Sequence, residues 1–197
     1  MIKMNREFME KVRFFESVSP GITVLSQLEF GGIQYGKYSD PEEDIFLVVG
    51  PRKLMEKKAG TCYETSLFIF GTLREYDVTP HFVFLGSRSS KSHACIIYQK
   101  NSLFWWPEYS WHFMRGIHGP FRSWEDAIDA VENAYNGVFG NIDYRNYDAY
   151  VSELIKMDFI PYSVFYDTVN PEIVSGGIRN YFLDNYPLKE SEDEGNA

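Results

Sequence analysis

Residues 60–73 read GTCYETSLFIFGTL, and this segment predicts the central element of the fold. Thr61 followed three residues later by Glu64 is a capping box, in which the two side chains bond to backbone N–H groups at the start of a helix. We therefore expect a helix from about Cys62 to Tyr76. Its apolar side chains cover nearly all sides, which predicts a buried helix rather than an amphipathic one.

The residues after this helix change from a helical to an extended pattern. Residues 80–86 and 93–99 each have the composition of a buried strand, and a polar Ser-rich loop separates them. Residues 100–102 are typical of a turn, and 103–111 of a third strand. Consecutive strands after one buried helix predict an α+β fold in which the helix packs on an antiparallel sheet.

The flanking segments predict mostly helical structure. Residues 2–16 have helical apolar spacing, and we expect this helix to end at Ser19-Pro20-Gly21 because proline and glycine interrupt helices. Residues 22–50 read as irregular apart from a short apolar run at 45–49, and a short helix is expected to begin at Pro51. Extra helices are predicted in the C-terminal part, opening at the cap sequence Ser123-Trp124-Glu125-Asp126 and near residues 147 and 171.

Length, composition and charge favour one globular domain. The 197 residues are 44% hydrophobic and 17% aromatic, which is enough for a sizeable core. We expect a single domain at 1–187, with its C-terminal helical part at 123–187, and a disordered acidic tail at 188–197. The net charge of −9 repels phosphate groups, so neither nucleic acid nor a membrane is an expected partner.

Targeting signals and cofactor motifs are missing from the sequence. No apolar run approaches the roughly 20 residues that span a bilayer, and the N-terminus does not resemble a secretory signal, so we expect a cytoplasmic protein. Its two cysteines, Cys62 and Cys95, are then expected to be thiols, although pairing between them is left open. No metal-ligand spacing and no Gly-rich phosphate loop occurs, so no metal and no cofactor is expected.

Chemically, Cys62 is the most informative residue. The capping box places it at the first helical position, where N–H groups and the helix dipole stabilise a thiolate. An inert buried cysteine is the alternative.

A thiolate nucleophile needs a base, and the base needs an orienting partner. A hairpin turning at 101–102 brings Glu108 back beside His93, where a carboxylate can fix the imidazole tautomer. Taken singly, a satisfied strand-end histidine and a solvent-facing acid are the simpler interpretations.

Three motifs follow one another along the chain. The first is Gly60-Thr61-Cys62 with its helix, short turn and strand, and the second is Ser92-His93-Ala94. The third is the aromatic-rich segment 105–111, in which Glu108-Tyr109-Ser110-Trp111 is followed by Arg115-Gly116-Ile117. In this order they resemble the transglutaminase-like cysteine enzymes of the papain fold, especially small bacterial and phage members. The resemblance covers about residues 30–135, the expected core of the domain.

The resemblance implies a thiol-dependent acyl-transfer enzyme, most simply a cysteine peptidase or amidase acting on a peptide or protein. It makes Cys62 the nucleophile, His93 the proton carrier and Glu108 the residue that orients His93. Gln34 is the candidate oxyanion donor, because related thiol enzymes take a donor from upstream of the nucleophile; a loop glutamine without a role is the alternative. The family usually has aspartate at the third position and an aromatic residue where Cys95 stands, so the substrate stays open.

Three further questions are left open by the sequence. Water or an amine could resolve the thioester, so hydrolysis and transfer are not separated. A catalytically idle scaffold that binds a peptide or protein is the alternative to an enzyme. The oligomeric state is likewise not predicted.

Overall fold

The computed structural model describes residues 6–36, 38–39, 46–86, 92–135, 141–143, 148–161 and 165. The helices are α1 (Arg6–Phe30), α2 (Pro51–Lys57), α3 (Cys62–Leu73), α4 (Trp124–Tyr135) and α5 (Asp148–Leu154), with a 3-10 turn at His112–Met114. The strands are β1 (Gln34–Tyr35), β2 (Tyr38–Ser39), β3 (Phe46–Val49), β4 (Ala59–Gly60), β5 (Thr79–Gly86), β6 (Ser92–Lys100), β7 (Leu103–Glu108), β8 (Gly116–Phe121), β9 (Asn141–Asp143) and β10 (Phe159–Pro161). The Ser-rich loop at 87–91, the helix expected near 171 and the acidic tail lie outside the described residues.

The strands form two antiparallel sheets and one parallel pair. The larger sheet has five strands in the order β8-β7-β6-β5-β9, and the smaller has three in the order β10-β3-β2. Every pairing within these two sheets is antiparallel, whereas β1 and β4 pair in parallel. Helices combined with antiparallel sheets confirm the predicted α+β class.

Helix α3 is buried, as its apolar composition predicted. Ten of its twelve residues are buried, and it packs between α1, α2 and the strands β5 and β6. Ser66 Oγ donates a hydrogen bond of 2.8 Å to the backbone oxygen of Ala94, which ties the helix to β6. The helix that begins at Cys62 is therefore held rigidly against the strand that contains His93.

The five-stranded sheet has a hydrophobic core on each face, because successive strand residues point to opposite sides. Phe82, Phe84 and Ile96 belong to the cluster shared with α1 and α3. Val83 and Leu85 belong to a second cluster that contains the buried face of α4. Burying each of these large side chains stabilises the fold by about 1.5–3 kcal/mol. The sheet thus lies between α3 and α4. A residue near the end of one of its strands can contact elements on both faces.

Helix α1 runs through Pro20, so the predicted break at that position is wrong. A proline lacks the N–H for its own helical bond and crowds the carbonyl four residues earlier. Here the Tyr98 hydroxyl from β6 accepts a bond of 3.3 Å from Gly21 N and lies 3.0 Å from the Ser17 oxygen, to which it donates. This side chain substitutes for helical bonds, and burial of Val24 beyond the proline favours continuation of the helix.

The β6–β7 hairpin forms as predicted. Asn101 and Ser102 have φ values of 53° and 62°, the left-handed pair that a two-residue turn matching the strand twist requires. The third strand ends at Glu108 rather than at Trp111, because backbone N–H groups after Glu108 bond to its own carboxylate. The next strand, β8, has no alternating pattern in its Gly- and Pro-containing sequence and was not predicted.

The chain after residue 123 supplies strands as well as the expected helices. Strand β9 pairs with β5 at an edge of the larger sheet, and β10 pairs with β3 in the smaller one. Both strands are only three residues long, too short to show a period of two. The described C-terminal part therefore completes both sheets.

Candidate active site

The start of α3 has the geometry that the capping box predicted. The backbone N–H of Thr61 donates a hydrogen bond of 2.7 Å to Glu64 Oε2, and Tyr63 N lies 3.4 Å from Thr61 Oγ1, which accepts from it. Cys62 is consequently the first helical residue, and it is 4% exposed. The N–H groups and the dipole of this helix end favour negative charge at the sulfur or on a substrate oxygen beside it.

His93, near the start of β6, lies between Cys62 and Glu108. Its Nε2 is 3.1 Å from Glu108 Oε2, and the ring is close enough to Cys62 for that side chain to act on the pKa of the imidazole. Because Nε2 faces the carboxylate, Nδ1 is the nitrogen left for the sulfur. Burial by itself lowers the pKa of His93, but the negative charges and hydrogen bonds of Cys62 and Glu108 raise it well above the ordinary 6.5. The structure therefore brings the three predicted residues together.

Glu108 is buried rather than solvent-facing, so the simpler interpretation of this acid is wrong. Its Oε1 accepts hydrogen bonds from Ser110 N (2.8 Å), Ser110 Oγ (2.9 Å) and Trp111 N (3.0 Å). Burial raises the pKa of the carboxyl, but the charge and hydrogen bond of His93, with the hydrogen bonds from Trp111 N and the Tyr135 hydroxyl, outweigh it and lower the pKa to about 2. An ionised carboxylate is thus held at the His93 ring, with its second oxygen, Oε2, beside the imidazole.

Tyr135, the last residue of α4, is a site residue that the sequence did not predict. Its hydroxyl lies 2.6 Å from His93 Nε2 and donates a bond of 2.8 Å to Glu108 Oε2. The partly exposed ring of Trp111 lies 4.1 Å from the Tyr135 ring and 6.0 Å from that of His93. The only sequence signal for Tyr135 is its place on the buried face of an amphipathic helix, and that signal predicts a core residue.

Gln34 lies on β1, which runs beside the segment that leads to Cys62. The parallel pairing aligns Gln34 with Ala59, three residues before the nucleophile candidate, and leaves its side chain exposed. The strand pairing thus places Gln34 next to the start of α3, and its oxyanion role stays a prediction. The neighbouring Tyr35 is also exposed. Partial burial of its hydroxyl and then the negative charge of Cys62 raise its pKa.

Cys95 differs from Cys62 in its environment. Both cysteines are free thiols, but Cys95 lies within strand β6, in the core cluster that includes α4. Burial raises the pKa of the Cys95 thiol well above its ordinary value. Cys95 is therefore a small core residue, and it can serve as an internal control for Cys62.

Comparison with known proteins assigns no family. No family model matches the chain, and no curated protein matches it. Within the described residues, no group of three or more His, Cys, Asp or Glu side chains could hold a metal ion. None of the described helices is both long and apolar enough to cross a membrane. The groups that the described site offers for chemistry are a thiol, an imidazole, a carboxylate and a phenol.

Proposed function

We propose that this protein is a thiol-dependent acyl-transfer enzyme of the transglutaminase-like, papain-fold type, most simply a cysteine peptidase or amidase. One observation supports the proposal above all others: His93 lies 3.1 Å from Glu108 and within electrostatic reach of Cys62. The sulfur lies at a helix N-terminus, which favours a thiolate, and the carboxylate lies on the opposite edge of the imidazole. A nucleophile, a base and an orienting group are thereby arranged in the order that covalent catalysis requires.

In the proposed mechanism, His93 takes the thiol proton of Cys62 at Nδ1, and the thiolate attacks the carbonyl carbon of an amide. The resulting oxyanion is stabilised by N–H groups at the start of α3, with Gln34 as the candidate side-chain donor. The C–N bond then breaks as the imidazolium gives its proton to the leaving amine, which leaves a thioester on Cys62. Water or a second amine attacks the thioester, and its proton passes through His93 back to the sulfur.

Access to the sulfur is narrow, and this constrains the substrate. Cys62 is 4% exposed and His93 6% exposed, so an extended segment that presents one carbonyl fits better than a bulky folded surface. We therefore propose a peptide, or a flexible segment of a protein, as the substrate.

Selective alkylation tests the proposal. We expect iodoacetamide between pH 6 and 8 to modify Cys62 faster than it modifies glutathione, while Cys95 stays unmodified, as read by peptide mapping. His93→Ala should slow the modification of Cys62 to the rate of an ordinary thiol or below. His81→Ala is the matched control, because His81 lies on β5 against Trp124, with ring centroids 5.1 Å apart. If Cys62 reacts no faster than glutathione, or if both histidine variants have the same effect, the catalytic proposal is wrong.

A catalytically idle scaffold that binds a peptide or protein is the second candidate. It is favoured by the near-complete burial of Cys62 together with large exposed aromatic side chains among the described residues, of which Phe30 and Phe113 are the most exposed. Cys62→Ala separates the two functions. Unchanged retention of a bound peptide by Cys62→Ala, combined with no turnover of a diverse peptide library by the unmodified protein, would favour binding over catalysis.

A further inference from the structure

We infer that Tyr135 is a positioning residue that keeps a proton on His93 Nε2 and thereby leaves the lone pair of Nδ1 for the Cys62 thiol. The inference rests on the proposed function, because it assigns to Tyr135 a part in preparing the catalytic base. It extends the expected triad by one member, which is contributed by α4 from the face of the sheet opposite α3.

The number of available protons determines the direction of each hydrogen bond. Glu108 is ionised, so it can only accept, and its Oε2 lies 2.8 Å from the Tyr135 hydroxyl. The single hydroxyl proton of Tyr135 is therefore used by Glu108. The same phenol oxygen lies 2.6 Å from His93 Nε2, and with its proton committed it can only accept there. Nε2 must then carry a hydrogen, and Nδ1 of a neutral ring is left as the base.

Distance and burial make Tyr135 a closer partner of the imidazole than Glu108. The phenol oxygen is 2.6 Å from Nε2, whereas Glu108 Oε2 is 3.1 Å away. All three residues are buried, and the rings of Tyr135 and His93 pack with centroids 4.6 Å apart and a tilt of 36°. Burial and nearby negative charge raise the pKa of Tyr135, so its phenol stays neutral and keeps the proton that it donates.

The consequence for chemistry is a base with one fixed tautomer. An imidazole with its hydrogen on Nδ1 cannot accept the thiol proton, so only the tautomer with hydrogen on Nε2 can activate Cys62. The phenol also accepts from Nε2 when His93 becomes an imidazolium, which stabilises the thiolate–imidazolium pair. Removing the phenol oxygen should therefore destabilise that pair and lower the reactivity of Cys62.

The first test reads the tautomer directly and does not depend on activity. In the Cys62→Ala protein, which lacks the thiolate that keeps His93 charged, ¹⁵N-histidine NMR should show neutral His93 with its hydrogen on Nε2. In Cys62→Ala/Tyr135→Phe the resonance of that hydrogen should move upfield as its nearest acceptor is lost. A neutral His93 with its hydrogen on Nδ1 in Cys62→Ala, or an unmoved resonance in the double variant, overturns the inference.

The second test measures alkylation of Cys62 against pH in Tyr135→Phe. We expect the midpoint of the pH profile to rise and the rate at pH 7 to fall about tenfold, the effect of losing one hydrogen bond to a charged group. Tyr98→Phe is the matched control, since its hydroxyl is also buried and on β6 but bonds to α1. A Tyr135→Phe profile equal to that of the unmodified protein, or an equal shift in Tyr98→Phe, overturns the inference. A Cys62 that is unreactive in the unmodified protein instead refutes the proposed function, and the NMR result still decides the role of Tyr135.

Discussion

Replacing Glu108 with glutamine removes a buried negative charge from the imidazole side of the site and changes the shape of the side chain very little. The glutamine oxygen can still accept from the N–H groups of Ser110 and Trp111, which turns its NH₂ group toward His93. A donor then faces a donor across the 3.1 Å contact to Nε2. We expect the imidazolium to lose most of its stabilisation and Cys62 to lose its counterion.

The size of this effect follows from the contact distance. Two unit charges 3–4 Å apart attract by about 4 kcal/mol at the effective dielectric constant of about 20 that suits proteins. This energy corresponds to about three units of pKa for His93, and burial, which already opposes the charged ring, acts in the same direction. The reactivity of Cys62 near neutral pH should consequently fall by at least about a hundredfold, as the thiolate–imidazolium pair becomes a thiol beside a neutral ring.

The assay is the rate of Cys62 alkylation between pH 5 and 10, with Cys95 as the unreactive internal reference. Glu29→Gln is the matched control, because it removes the same charge from an exposed side chain paired with Arg115 at 3.3 Å. Glu108→Asp keeps the charge on a shorter arm and should lie between Glu108→Gln and the unmodified protein. If Glu108→Gln and Glu29→Gln give the same pH profile as the unmodified protein, Glu108 does not stabilise the imidazolium and its assignment is wrong.

Three further predictions concern stability. The pKa of Glu108 is lowered from 4.5 to about 2 on folding, so its ionised carboxylate contributes fully to the free energy of unfolding above pH 4.5. About 3 kcal/mol of that free energy is lost as the pH falls toward 2. Urea unfolding at successive pH values checks this, and a constant free energy of unfolding would contradict it. Thr61→Ala removes the helix cap and should lower the free energy of unfolding, measured with urea, by about 1–2 kcal/mol. Thr61→Ser keeps the hydroxyl and should lower it little. Equal losses in the two variants would exclude the cap as the cause. A Cβ at Gly50 would lie 1.7 Å from the Met157 backbone oxygen, so Gly50→Ala should lower the free energy of unfolding by about 3 kcal/mol or more. Gly36 has open space around it, so Gly36→Ala should be tolerated. A Gly50→Ala protein as stable as Gly36→Ala would refute the close approach of Gly50 to Met157.

The parts of the fold that the sequence predicted correctly depend on local chemistry. The capping box spans four residues, from Thr61 to Glu64, and it located the start of α3 without any knowledge of tertiary structure. The turn at Asn101 and Ser102 is likewise local, and the hairpin that it forms predicted that Glu108 returns beside His93. The α+β class followed from the order of these elements.

The parts that were missed depend on contacts between residues far apart in the chain. Pro20 predicts the end of a helix, and it is overridden by a hydroxyl from Tyr98, which no local pattern indicates. Tyr135 has the spacing of a core residue, and only the packing of α4 on the sheet brings its hydroxyl to His93 and Glu108. The burial of Glu108 could not be read from an alternating strand pattern either, because its partners are backbone groups of the segment that follows the strand.

The bond between Tyr98 and the turn of α1 around Pro20 has a consequence for the order of folding during synthesis. When the first thirty residues leave the ribosome, the tyrosine that completes their helix has not yet been made. The N-terminal half of α1 needs no contact from this tyrosine, whereas the bonds that Tyr98 makes around the proline can form only once β6 is in place. Maturation of the first helix is therefore coupled to assembly of the same strand that brings His93 to Cys62, and a nascent chain that ends before residue 98 lacks both.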